Sequence, residues 1–213
     1  MTKKRVYVDT SVVGGNFDRE FEKLTSPFWD AVCDGRIIAV LSDVLADEVK
    51  LAPKHVREFF ESLPLQQIER VALSEEAKAL ADKYIAERVV GQTSLVDCRH
   101  IAIATIHQAD ILVSWNFKHI VNVNRIRGYN AINMLMGYPA IDIRHRRRSL
   151  IMNNKPESHI IDGFSVLEMK QTIQEEIIRR TGEMTYQELR HYLDESLKDQ
   201  YPDGFVMEPV AMQ

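Results

Sequence analysis

Short runs of consecutive apolar residues alternate with longer stretches of helical periodicity over the first two thirds of this chain. The runs at 5–9, 36–41, 66–71, 110–114 and 140–143 predict strands, each too short and too continuously apolar to be an amphipathic helix. Helical patterns fill the gaps at about 18–34, 43–50, 53–62, 74–90, 95–108 and 117–136. This alternation predicts an α/β fold, a three-layer α/β/α sandwich around a mostly parallel sheet. Local signals agree: Ser74 followed by Glu75 and Glu76 is a helix start, and Gly35 stops the first long helix. After Ile143 the composition turns to Arg144-His145-Arg146-Arg147-Arg148 and then to a polar stretch around Pro156. Residues 1–143 therefore read as the α/β unit, 144–162 as a basic and polar linker, and 163–213 as a helical extension. In the extension Val166, Met169, Ile173 and Ile177 recur at helical spacing, and Thr185-Tyr186-Gln187-Glu188 opens a second helix with a capping-box pattern. So short a tail cannot build its own core and must bury that stripe against something else.

Polar residues stand where several of the core segments surface. Asp9 ends the first strand and is followed by Thr10 and Ser11; Glu48 lies where the second strand has given way to a helix; Asp97 opens the helix carrying Ile101 and Ala104; Asn116 follows the strand that ends near Ser114. Open α/β sheets place their sites beyond the carboxyl ends of the strands, so these four groups can meet there. Three carboxylates brought together repel one another and raise each other's pKa, which a divalent cation relieves. Magnesium prefers oxygen ligands and an open face, and it polarises phosphoryl oxygens and activates water. Asp43 and Asp47 flank Glu48 as alternative ligands, but helical spacing turns Asp47 to another face, and Asp43 reads as the helix cap. Thr10, Ser11 and Ser114 are candidates for positioning substrate or water, and the competing reading has them bonded to backbone. His100, one turn from Asp97, is a candidate to pair with it or meet substrate, and the competing reading makes it a helix-surface residue.

These blocks together resemble the PIN-domain family, in particular ribonuclease toxins of the VapC type. The resemblance rests on Val6-Tyr7-Val8-Asp9-Thr10-Ser11, on Ser42 to Glu48, on Asp97 to Ala104 and on Ile111 to Ile120, in that order, within about residues 4 to 143. It implies a Mg²⁺- or Mn²⁺-dependent ribonuclease in which Asp9, Glu48 and Asp97 hold the metal. Asn116 stands where the family usually has a fourth Asp, and an amide supplies no negative charge. The segment from Phe164 to Arg180, with Met184 to Leu189, resembles the helical region of antitoxins encoded beside such toxins. That second likeness implies a toxin-like and an antitoxin-like part fused in one chain, the tail lying in a groove of its own or a neighbouring subunit and restraining the nuclease. A homodimer is a further expectation.

Composition narrows the choices. The chain has 213 residues, 45% of them hydrophobic, with a formal net charge of -4. RNA binding must therefore come from local patches, for which Lys118, Arg144, Arg146, Arg147 and Arg148 are the candidates, with His119, Arg125 and Arg127 adding to the Lys118 strip. The only cysteines are Cys33 and Cys98, far apart and in no metal-binding pattern, and no apolar signal segment or membrane-length run is present. A reduced, cytoplasmic protein is the expectation. Two other classes compete with the nuclease: a catalytically inactive PIN-like binding protein, with Asn116 marking lost chemistry, and a regulator that recognises another toxin or DNA through an exposed tail.

Overall fold

The computed structural model describes residues 2–144 and 160–206. Five strands, β1 (Lys4–Val8), β2 (Ile37–Ser42), β3 (Ile68–Val71), β4 (Ile111–Val113) and β5 (Ile143–Arg144), form one sheet in the order β3-β2-β1-β4-β5 with every pairing parallel. Consecutive residues of β1, β2 and β4 are buried, including Val6, Tyr7, Val8, Val40, Leu41 and all of β4. Such unbroken apolar runs belong to parallel strands covered on both faces. Strand order reverses between β1 and β4, so a crevice opens at their carboxyl ends.

The helices are α1 (Thr10–Gly14), α2 (Glu22–Cys33), α3 (Asp43–Lys50), α4 (Lys54–Glu61), α5 (Glu75–Ala86), α6 (Leu95–Ile106), α7 (Val123–Leu135), α8 (Val166–Thr181) and α9 (Tyr186–Leu197). Most lie where the apolar periodicity predicts them. Ser74 caps α5 by accepting from Ala77 N, and Gly35 takes a positive φ of 68° just past α2. Three details differ from the sequence reading. α1 is too short to carry a periodic signal. α7 starts at Val123 because Asn122 caps it by accepting from Asn124 N and Arg125 N, while the chain at 117–121 turns back on the Asn116 carbonyl. Ser42, not Asp43, caps α3.

α8 and α9 pack on the α/β unit, α8 against α1, α3 and α6, and α9 against α3. Val166, Ile173 and Ile177 of α8 and Leu189, Leu193 and Leu197 of α9 are buried in the same apolar cluster as the sheet. α9 opens on the capping box, Glu188 accepting from Thr185 N at 2.8 Å. Polar contacts reinforce the docking. Arg190 pairs with the buried Asp43, Ser196 donates to Asp47, and Lys50 reaches Ser196 Oγ at 3.1 Å. Burial pushes the carboxyls of both Asp43 and Asp47 up, with Arg190 and Ser196 opposing that rise. Among the described residues no helix is long and apolar enough to cross a membrane.

Candidate active site

Asp9, Glu48, Asp97 and Asn116 gather at the carboxyl ends of the strands, and the first three are fully buried. Asp9 leaves β1 and caps α1, accepting from Ser11 N at 3.3 Å. The Ser11 hydroxyl donates to Asp9 Oδ2, as does Ser114 Oγ from the end of β4 at 2.8 Å. These two serines therefore tie Asp9 across the switch point; Ser11 Oγ also accepts from Trp115 N at 2.9 Å. Thr10 donates to Glu48 Oε2, joining α1 to α3. Each of the three hydroxyls donates to a carboxylate of the cluster. Asn116 Nδ2 donates to Asp97 Oδ2 at 3.0 Å, and its Oδ1 accepts from His119 N at 3.1 Å.

The centre of the cluster is occupied by a side chain from the tail. Lys170 of α8 is 2% exposed; its Nζ donates to Asp9 Oδ1 and lies 3.1 Å from Asp97 Oδ1. One turn further along, Gln174 Nε2 donates to the same Asp97 oxygen at 2.7 Å. Burial alone would raise the Asp9 carboxyl, but the Lys170 ammonium, helped by His100 and Ser11, holds it down at about 2. Burial likewise works against the Lys170 charge, and Asp9, Asp97 and Glu48 together more than reverse it, leaving the lysine firmly protonated. Isolated charges would be too costly to bury, so the ammonium and the carboxylates are mutually required.

The Asp9 shift has a measurable consequence. Its folded pKa lies below its ordinary value of 3.8, so the ionised form stabilises the fold; that contribution is complete above about pH 4 and disappears as pH falls towards 2. Linkage sets it at roughly 2 kcal/mol. Urea unfolding of the wild type and of Asp9→Asn at stepped pH is expected to show a stability gap that closes over this window. A gap constant down to pH 2 would contradict the Asp9–Lys170 pairing.

No protein-family model, curated protein or solved structure matches this chain. Glu48 Oε1 is buried and has no hydrogen-bond partner, although Oε2 of the same carboxylate receives two donors. A buried carboxylate oxygen without a donor has its lone pairs free for a cation or a water. The donor set, carboxylates and amides without thiolates, suits a hard divalent ion. Among the described residues no three His, Cys, Asp or Glu side chains are grouped so as to hold a metal; Asp9 and Asp97 meet the Lys170 ammonium.

Two residues of the site escape the sequence reading. Lys170 lies between Val166 and Ile173 on the buried face of α8, together with Gln174 and Ile177. A lysine inside an apolar stripe is the signal that marks it. His100 is not on the helix surface. It is fully buried, with Nε2 2.6 Å from Glu48 Oε2. Of the basic candidates, Lys118 is exposed, and Arg144 at the end of β5 is held by Asp142 at 2.5 Å. Arg146, Arg147 and Arg148 lie outside the described residues.

Proposed function

We propose that this chain is a divalent-metal-dependent ribonuclease of the PIN type whose own C-terminal helices hold it inactive. The observation that carries the reading is the Lys170 ammonium set among Asp9, Asp97 and Glu48 at the sheet's switch point. A cluster of buried carboxylates is unfavourable without a cation, and here the cation sits on a separate pair of helices that lies over the site. The order of the four sequence blocks and the antitoxin-like character of 164–189 support the same assignment.

Asp9, Glu48 and Asp97 would hold Mg²⁺ or Mn²⁺, which when bound supplies electrophilic activation of the scissile phosphate and of water. The chain's own groups do the rest. Ser11, Ser114 and Thr10 fix two of the carboxylates, and Asn116 orients Asp97. The reaction is hydrolysis of an RNA phosphodiester: a water oxygen bonds to phosphorus, the bond to one ribose oxygen breaks, and that oxygen takes up a proton. RNA would approach over the face now covered by α8, with the exposed Lys118 a candidate to meet its backbone. A neighbouring copy of the chain is a further expected partner, and the reading places the protein in the cytoplasm.

A non-catalytic PIN-like protein is the second reading, and Asn116 favours it, because its amide is engaged by Asp97 and His119. Cleavage of a structured RNA pool by the full-length chain separates the two. The wild type is expected to be slow in Mg²⁺ and Lys170→Ala at least about tenfold faster; EDTA and a further Asp9→Asn change should each remove the activity. A folded Lys170→Ala protein that binds Mn²⁺ yet cleaves nothing would give the second reading the field.

A further inference from the structure

His100 is a buried group whose bonding is explained neither by the sheet's ladder nor by the tail. It sits on α6 one turn after Asp97, with no exposed surface, in the layer between β1 and α3. Both ring nitrogens are used: Nε2 lies 2.6 Å from Glu48 Oε2, and Nδ1 lies 2.8 Å from the hydroxyl of Tyr7. Tyr7 Oη in turn bonds Ser42 Oγ at 2.7 Å, and that oxygen accepts from Leu45 N at the start of α3. The line of bonds therefore runs from the first turn of α3, through β1 and α6, and back to Glu48 near the end of α3. All the side chains in it are buried.

The consequence falls on one oxygen. An ionised Glu48 can only accept, so the 2.6 Å contact is a donation from His100 Nε2–H. Thr10 donates to the same oxygen. Two donors on Oε2 and none on Oε1 fix the carboxylate's rotation and leave Oε1 bare. The Tyr7 hydroxyl fixes the ring orientation that this donation needs. Imidazole–carboxylate pairs that orient metal ligands act in this way, and losing such an outer partner weakens metal affinity about 10- to 100-fold.

We infer that His100 is a positioning residue that, with Tyr7 behind it and Thr10 beside it, holds Glu48 so that one oxygen is presented to a divalent cation. This rests on the proposed metal-dependent reading. It adds to that reading a ligand-orienting histidine, and it separates the task of Glu48, which touches the ion, from that of His100, which does not.

The test uses the full-length chain carrying Lys170→Ala, so that the ammonium does not compete, and Mn²⁺ as the probe, titrated by loss of its free-ion electron spin resonance signal. His100→Leu keeps the bulk and removes the donor; His100→Gln returns an amide N–H near the position of Nε2. His100→Leu is expected to weaken Mn²⁺ binding by at least about tenfold, and His100→Gln to recover most of it. Tyr7→Phe should give a smaller loss in the same direction, with the circular dichroism of all variants unchanged. Unaltered Mn²⁺ affinity in His100→Leu would overturn the inference, and so would a glutamine variant as weak as the leucine one, because that pattern belongs to packing alone. If the Lys170→Ala parent itself binds no Mn²⁺, the metal-dependent reading fails, and the role of His100 falls with it.

Discussion

Replacing Lys170 by Ala is expected to make the protein's stability depend on divalent ions, which the wild type's should not. In metal-free buffer the variant leaves Asp9 and Asp97 buried without the ammonium that now faces both. Removing one partner of a buried ion pair costs about 3–5 kcal/mol, a large part of the roughly 5–15 kcal/mol that keeps a domain folded. The loss should appear first in α8, since undocking that helix admits water to the carboxylates and removes most of the penalty. Adding Mg²⁺ should then return stability, because an ion bound only by the native state contributes RT ln(1 + [L]/Kd), about 2.7 kcal/mol at a hundredfold excess over Kd. In the wild type the ion must first displace Lys170, and the gain should be far smaller. Urea unfolding of both proteins with EDTA and with Mg²⁺ measures this. Equal stabilisation of the two by Mg²⁺ would mean that the ion binds somewhere other than where the ammonium sits.

The second large effect is expected from a residue that carries no charge. Gly14 ends α1, and a Cβ built there would lie 2.6 Å from Val166 Cγ2 and 3.1 Å from Met169 Cε, both on α8. Its backbone is not in the left-handed region, so a side chain is excluded by α8 alone. Gly14→Val therefore drives a wedge under the tail while leaving every carboxylate and Lys170 untouched. Overpacking of this kind costs about 1–3 kcal/mol, and the loosest element takes up the strain. Amide hydrogen exchange in α8 should accelerate by about one to two orders of magnitude, while β1 and β2 keep their protection. RNA cleavage in Mg²⁺ should rise in parallel, as in Lys170→Ala but without the metal-free instability. Unchanged exchange in α8 would show that the contact at Gly14 does not limit docking.

How much of this was legible in the sequence depends on whether a feature is local or made between elements. Strand runs such as Val6-Tyr7-Val8 and Ile37 to Leu41 follow from burial on both faces, and Thr185 with Glu188 fixes the start of α9 with no help from the rest of the chain. Asp9, Glu48 and Asp97 could be marked as site candidates because each follows a core segment, and chain order constrains where those segments end. Three features resisted. Asp43 reads as a cap because it stands at a helix start, yet Ser42 takes that role, and the Asp43 carboxylate turns to Val44 N, Leu73 N and Arg190. His100 looks like a surface residue because its partners, Tyr7 and Glu48, lie 93 and 52 residues away. Lys170 shares a helix face with the stripe of Val166, Ile173 and Ile177, but the spacing of a stripe cannot say what that face meets.

The fastening of α9 to α3 bears on how the two parts could ever come apart. Glu48 stands on α3, and the same helix carries Asp43 and Asp47, which Arg190 and Ser196 grip. The tail is thus held at one end by Lys170 in the acidic cluster and at the other by a clasp on the helix that bears one of its carboxylates. Because both are encoded in one polypeptide, dilution cannot separate them, as it can two proteins that meet by collision. Nor would a single peptide-bond break between residues 144 and 160 free the site at once, since α8 and α9 keep their own buried faces and ion pair. Release would follow the lifetime of that interface, so a nicked molecule would carry a built-in delay between the cut and the exposure of its carboxylates.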